Sequence, residues 1–112
     1  MPTNLYGTHD NFDLTSSHVL PAMMRKFHEA KMNNNAPVTL WGSGTPMREF
    51  LFVDDMAQSV VFALENKLPD YLYNVGTGED LTIKQLAETI QKIIGHQGEI
   101  IWDSSKPDGT PR

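Results

Sequence analysis

The stretch REFLFVDDMAQSVVFALEN, residues 48–66, changes its period in the middle. Residues 48–53 form a short apolar run of the kind that makes a strand. Residues 54–66 return to helical spacing through Ala57, Val60, Val61 and Leu64. Asp54 and Asp55 stand at the join, where the exposed N–H groups of a helix start favour negative charge. Side by side they cannot both face one point on a helix, so they read as an N-terminal cap pair and not as a catalytic dyad. A strand that feeds directly into a helix points to an α/β layering.

The same alternation extends outward. VTLW (38–41), YLYNVG (71–76) and EIIWD (99–103) are further strand candidates, and MPTNLYGTHDNF (1–12) is a short segment that soon enters a loop. SSHVLPAMMRKFHEAKM (16–32) is helical, with Leu20, Met23, Met24 and Phe27 on one face. Ser16 or Ser17 is the expected cap, and Pro21 is tolerable only in the first turn. LTIKQLAETIQKIIG (81–95) is the clearest helix, with Thr82 and Gln85 as a capping box, Ile83, Leu86, Ile90 and Ile93 on one face, and Gly95 as its stop. SSKPDGTPR (104–112) is polar and turn-rich. The predicted fold class is a small mixed α/β domain.

Of the 112 residues, 39% are hydrophobic and 21% charged, a globular balance that argues against disorder. No apolar run approaches the roughly 18 residues of a membrane span, so no membrane partner is expected. The net charge is −5 with no basic cluster, which argues against nucleic acid. The absence of cysteine excludes a disulfide scaffold and favours the cytoplasm.

A dinucleotide fingerprint needs G-x-G-x-x-G between strand and helix. GSG at 42–44 and GTG at 76–78 do not extend to it and read as tight turns. No metal site is expected, because His9, Asp10 and Asp13 meet no ligand spacing. Among the four histidines, His18 lies at a predicted helix start, whose positive end opposes a second positive charge. A His so placed can exchange protons near neutral pH; otherwise it is a helical residue with no role. His28 and His96 read as solvated. Trp41 offers a flat face on which a base can stack, and Arg48 a fork for phosphate oxygens. The alternatives are a half-buried core Trp and an Arg paired with Glu49.

Read in order, PTNLYG-x-HDNF, SSHVLPA, WG-x-GTPMREFL-x-VDDMA, NVGTG and SKPDGTPR resemble the GDP-L-fucose synthases, a family of extended short-chain dehydrogenase/reductases. The resemblance covers essentially the whole chain, although R-x-F-x-x-VDD and the N-x-G turn are shared by nucleotide-sugar epimerases at large. It implies an enzyme that epimerises C3 and C5 of GDP-4-keto-6-deoxy-mannose and reduces C4 with NADPH. His18 would be the acid/base, while the family's Cys partner has no counterpart. Pro2, Thr3, Asn4 and Leu5 would line the nicotinamide side of NADP(H). Lys26, Trp41, Arg48 and Asp108 would contact the GDP-sugar.

The Gly-rich Rossmann half is not found in these residues, and none of Tyr6, Tyr71 and Tyr73 is followed by Lys at the fourth place. Residues 1–112 are therefore expected to be a C-terminal substrate-binding portion, inactive by itself and binding no cofactor alone, whose partner is the Rossmann half. Apolar surface at Met23, Met24 and Phe27, or at Phe50 and Phe52, would favour a homo-oligomer. The substrate domain of a GDP-mannose dehydratase or UDP-sugar epimerase, and a non-enzymatic binding module, stay open.

Overall fold

From its N-terminus the chain runs through β1 (Asn4–Tyr6), α1 (Val19–Met32), β2 (Val38–Trp41), β3 (Met47–Arg48), β4 (Phe50–Phe52), α2 (Val53–Glu65), β5 (Leu81–Thr82), α3 (Ile83–Ile94) and β6 (Ile100–Asp103). This is a computed structural model, and it describes residues 2–66 and 73–108. The elements fall into two compact units, one drawn from Met1–Asp10 and Glu49–Asp80, the other from Asn11–Arg48 and Leu81–Arg112.

In the first unit β1 and β4 pair in parallel, with Leu5 opposite Leu51. On the other side of β1, Pro2 bridges Val75 in parallel, and the Thr3 N–H donates to the Val75 carbonyl at 3.0 Å. Only this bridge remains of the strand expected at 71–76, of which Tyr71 and Leu72 lie outside the described residues. Leu51 is buried, and the Tyr6 and Phe52 rings lie 5.6 Å apart. Helix α2 follows β4 without a gap and starts one residue before the expected join. Its N-cap is Phe52, so Asp54 and Asp55 are not caps; they sit in the first turn, the end of a helix where negative charge is favoured.

The expected strand 48–53 is two strands. Arg48 pairs antiparallel with Leu81, whereas Phe50 pairs parallel with Asn4. The break falls at Glu49, whose Oε2 accepts the N–H groups of Thr77 (2.7 Å) and Gly78 (3.3 Å). This carboxylate, the local partner that one alternative reading gives Arg48, closes the NVGTG turn.

In the second unit α1 packs on α3. Leu20, Met23, Phe27 and Ala30 of α1 meet Leu86, Ala87 and Ile90 of α3 in a core that β2 completes with Val38 and Leu40. Met24, expected in that core, is exposed, and so is Ile93; Ile94 is the half-buried residue of the last turn. The N-cap of α1 is His18, while Ser16 and Ser17 fold into a turn on the Asp13 carbonyl. Pro21 is buried in the first turn, where its missing N–H removes no helical bond. The parallel pair β2 and β6 alternates cleanly, so Thr39 and Trp41 point outward.

His96, expected in solvent, is only 5% exposed. After Gly95 ends α3 in the left-handed conformation (φ 84°), the chain turns back and inserts the ring edge-on to Phe27. A carbonyl can only accept, so Nε2–H donates to Ala36 O at 2.7 Å and Nδ1 accepts from Gln91 Nε2 at 3.1 Å. A buried polar ring is tolerable because both nitrogens are used.

The fully buried Phe27 carries this core. Phe27→Ala is expected to cost about 3–5 kcal/mol in urea unfolding. Met32→Ala, at a residue 72% exposed, should stay within about 0.5 kcal/mol.

Candidate functional site

Residues 42–46 join β2 to β3 and are tied to the body of the second unit at several points. The Gly42 N–H donates to Asp103 O at 2.9 Å. At the start of α3, the N–H groups of Lys84 and Ile83 donate to Gly44 O (2.9 Å) and Pro46 O (3.0 Å). Such first-turn donors have no partner inside a helix, so the loop carbonyls complete the helix start. The Thr82–Gln85 capping box completes the rest, with Gln85 N–H on Thr82 Oγ1 at 3.0 Å and Thr82 N–H on Gln85 Oε1 at 2.9 Å.

Gly42 and Gly44 have φ of 85° and 79°, a region that L side chains rarely adopt. A Cβ on Gly42 would strike the Asp108 carboxylate, and one on Gly44 the Trp102 ring. Between them, the Ser43 N–H donates to Asp108 Oδ1 at 2.6 Å, and Ser43 Oγ–H to Asp108 Oδ2 at 2.8 Å. Ser43 Oγ then accepts from Thr45 Oγ1–H, at 2.8 Å. These bonds, first the Ser43 N–H and then its hydroxyl, hold the Asp108 carboxyl below its ordinary value of 3.8.

Trp41 ends β2 with 62% of its surface exposed, so it is not a core residue. Lys106 Nζ lies 5.5 Å from the centroid of its ring. Because β2 and β6 are parallel, the loops after Trp41 and after Asp103 emerge together at the carboxyl ends of the strands. Ligands of α/β sheets commonly bind at such ends. Arg48 lies half-buried on β3, two residues past the loop, and its Nη1 donates to Met47 O at 2.7 Å.

The structure thus gathers Trp41, Lys106 and Asp108 around the 42–46 loop, with Arg48 on the strand that follows it. Lys26 lies elsewhere in the unit, on a depression of about 340 Å³ between α1 and β2 shared with Glu29, Asn33 and Thr39. His18 is exposed, and its ring makes no bond to the helix it caps. Pro2, Thr3, Asn4 and Leu5 belong to the first unit. There Asn4 Nδ2 donates to Glu49 O at 3.3 Å, and Thr3 Oγ1 is buried with no partner among the described residues. Leu5 borders a depression of about 160 Å³ with Tyr6, Gly7, His9 and Val53. Residues 109–112 of the SKPDGTPR segment lie outside the described residues. Among the described residues no group of three or more His, Asp or Glu could hold a metal ion. Ser43 was missed from sequence, where a serine between two glycines signals only a turn.

The Asp108 carboxyl has a folded value below its unfolded one. The stability it contributes is therefore complete above the ordinary 3.8 and lost as pH falls through the lower folded value. In an NMR titration the Ser43 amide resonance should show an inflection with its midpoint below 3.8, and Asp108→Asn should remove that inflection.

Residues 1–76 match the family model of the NAD dependent epimerase/dehydratase family. The chain is 56% identical over 112 residues to the probable GDP-L-fucose synthase 1 of Oryza sativa subsp. japonica, covering 100% of this chain and 34% of that relative. It is 55% identical over 121 aligned positions to the GDP-L-fucose synthase of Escherichia coli (strain K12), covering 100% of this chain and 38% of that protein. The crystal structure of a GDP-L-fucose synthetase from Naegleria fowleri bound to NADP matches with a TM-score of 0.90 at 35% identity, over 98% of this chain and 35% of that one. The chain spans about a third of the length of the curated relatives it matches.

Proposed function

We propose a function from one premise: the chain belongs to the NAD dependent epimerase/dehydratase family. Its role is to bind the GDP-sugar in a GDP-L-fucose synthase, the enzyme that epimerises C3 and C5 of GDP-4-keto-6-deoxy-mannose and reduces C4. One observation carries this reading. An exposed Trp41 stands at the carboxyl ends of a parallel strand pair, and the loop that leaves it runs straight to Arg48. The indole gives the guanine base a stacking face, and the guanidinium gives the diphosphate a matched fork. Lys26, on its separate depression between α1 and β2, is given a contact to the same substrate by the sequence resemblance alone.

His18 is the acid/base for proton transfer at the carbons beside the ketone. Its exposed ring at the N-cap of α1 leaves both nitrogens open to substrate. Pro2 to Leu5 form one wall for NADP(H). Thr3 Oγ1, buried and without a partner among the described residues, suits a polar cofactor group. When bound, the nicotinamide supplies the hydride. The residues in this chain bind and exchange protons; hydride transfer needs the Tyr-x-x-x-Lys pair that Tyr6, Tyr71 and Tyr73 do not begin.

Helix α2 presents Val60, Val61, Phe62 and Leu64 at 46–82% exposure, whereas Met23 and Phe27 are buried. The surface for association is therefore α2, which the remaining part of the parent enzyme would cover. This chain alone is expected to self-associate with rising concentration in sedimentation velocity, and Val61→Lys with Leu64→Lys should shift it toward monomer.

Calorimetric titration with GDP, with UDP as control, tests the binding role. GDP should bind, UDP far more weakly, and Arg48→Ala should weaken GDP by about tenfold or more, the scale of a lost charged hydrogen bond. No NADPH oxidation should accompany it. Equal affinity for UDP would favour a UDP-sugar enzyme. No response at millimolar GDP would refute an autonomous site.

A further inference from the structure

We infer that Ser43 and Asp108 form a clasp that positions Trp41, which makes Ser43 a positioning residue for the site. The inference rests on the GDP-sugar reading above and adds to the direct role that the sequence resemblance gives Asp108.

Each carboxylate oxygen takes one bond from Ser43: Oδ1 the N–H and Oδ2 the hydroxyl. Both bonds are short and charge-assisted, which makes the pair a firm tie between two loops. The fit is built in, because Gly42 has no Cβ where the carboxylate lies and its φ of 85° turns the Ser43 N–H toward it. Trp41 has little core packing to hold it, being 62% exposed. Its orientation follows from the backbone on either side. Before it, β2 pairs with β6; after it, Gly42 N–H is on Asp103 O and Ser43 is on Asp108. The clasp also fixes Lys106, two residues before Asp108, whose ammonium lies over the same indole ring. One side-chain pair therefore joins the two loops that carry the stacking face and its cation. Without it, the ring a base must meet would sample several orientations, and binding would bear the cost of ordering it.

The coupling between Ser43 and Asp108 is read in a double-mutant cycle on the full 112-residue chain. GDP affinity should fall about threefold in Ser43→Ala, which keeps its N–H, and about tenfold in Asp108→Ala. The double variant should bind no more weakly than Asp108→Ala, and Ser43→Thr, which keeps the hydroxyl, should stay near wild type. A Ser43→Ala chain that binds like wild type, or losses that multiply in the double variant, would overturn the clasp. The Trp41 indole N–H resonance is followed in the same variants without nucleotide, and their amide spectra report that they fold. The clasp predicts that Asp108→Ala and the double variant move this resonance to one shared position. An unmoved resonance overturns it whatever GDP does. If wild type binds no GDP while the resonance moves as expected, the GDP reading fails and the clasp stands.

Discussion

Two backbone N–H groups at the start of α3, those of Ile83 and Lys84, have no acceptor within the helix, and they find one in the loop that carries the candidate site. Their bonds to Pro46 O and Gly44 O fix residues 44–46 against the most strongly capped helix in the chain. Trp41 lies just before that loop and Arg48 just after it. The spacing between the exposed Trp41 indole and Arg48 is therefore set by a helix N-terminus. A loop held only by its own turn would not maintain it. The helix depends in turn on the loop, because its first-turn donors would otherwise need water.

Beneath the loop the second unit supplies a rigid base. Its core is a helix pair on a short parallel strand pair, with Phe27 fully buried at its centre. His96 belongs to this base and not to the site. Its two nitrogens tie the segment after α3 to Ala36, just ahead of β2, and to Gln91 within α3. The first unit is organised differently. A parallel strand pair leads straight into α2, and Glu49 closes the NVGTG turn through the amides of Thr77 and Gly78. Arg48 and Glu49, adjacent in sequence, thus serve separate structures.

Much of this is legible in the sequence where the signals are local. The α3 capping box and its glycine stop, the helical spacing of α1 and α2, and the outward alternation of VTLW all follow from nearest neighbours. What the sequence hides depends on distant partners. His96 reads as solvated because its acceptor, Ala36 O, is 60 positions away. The run 48–53 reads as one strand because nothing local shows that its two halves pair with different segments. The aspartates of α2 are placed correctly in the first turn but misread as caps, since Phe52 takes that position through backbone geometry alone. Trp41 and Arg48 are recognisable by residue type, whereas Ser43 gains its role only from Asp108, 65 positions on.

The proposed role requires that a single helix-anchored loop present Trp41 and Arg48 to a guanine nucleotide. The most direct measurement is an amide and indole NMR map of the chain as GDP is added. The predicted result is a contiguous set of shifts covering the Trp41 indole, Ser43, Gly44 and Arg48, with the Lys84 amide responding through its bond to Gly44 O. Shifts confined to residues outside this loop, or a spectrum that GDP leaves unchanged, would contradict the claim.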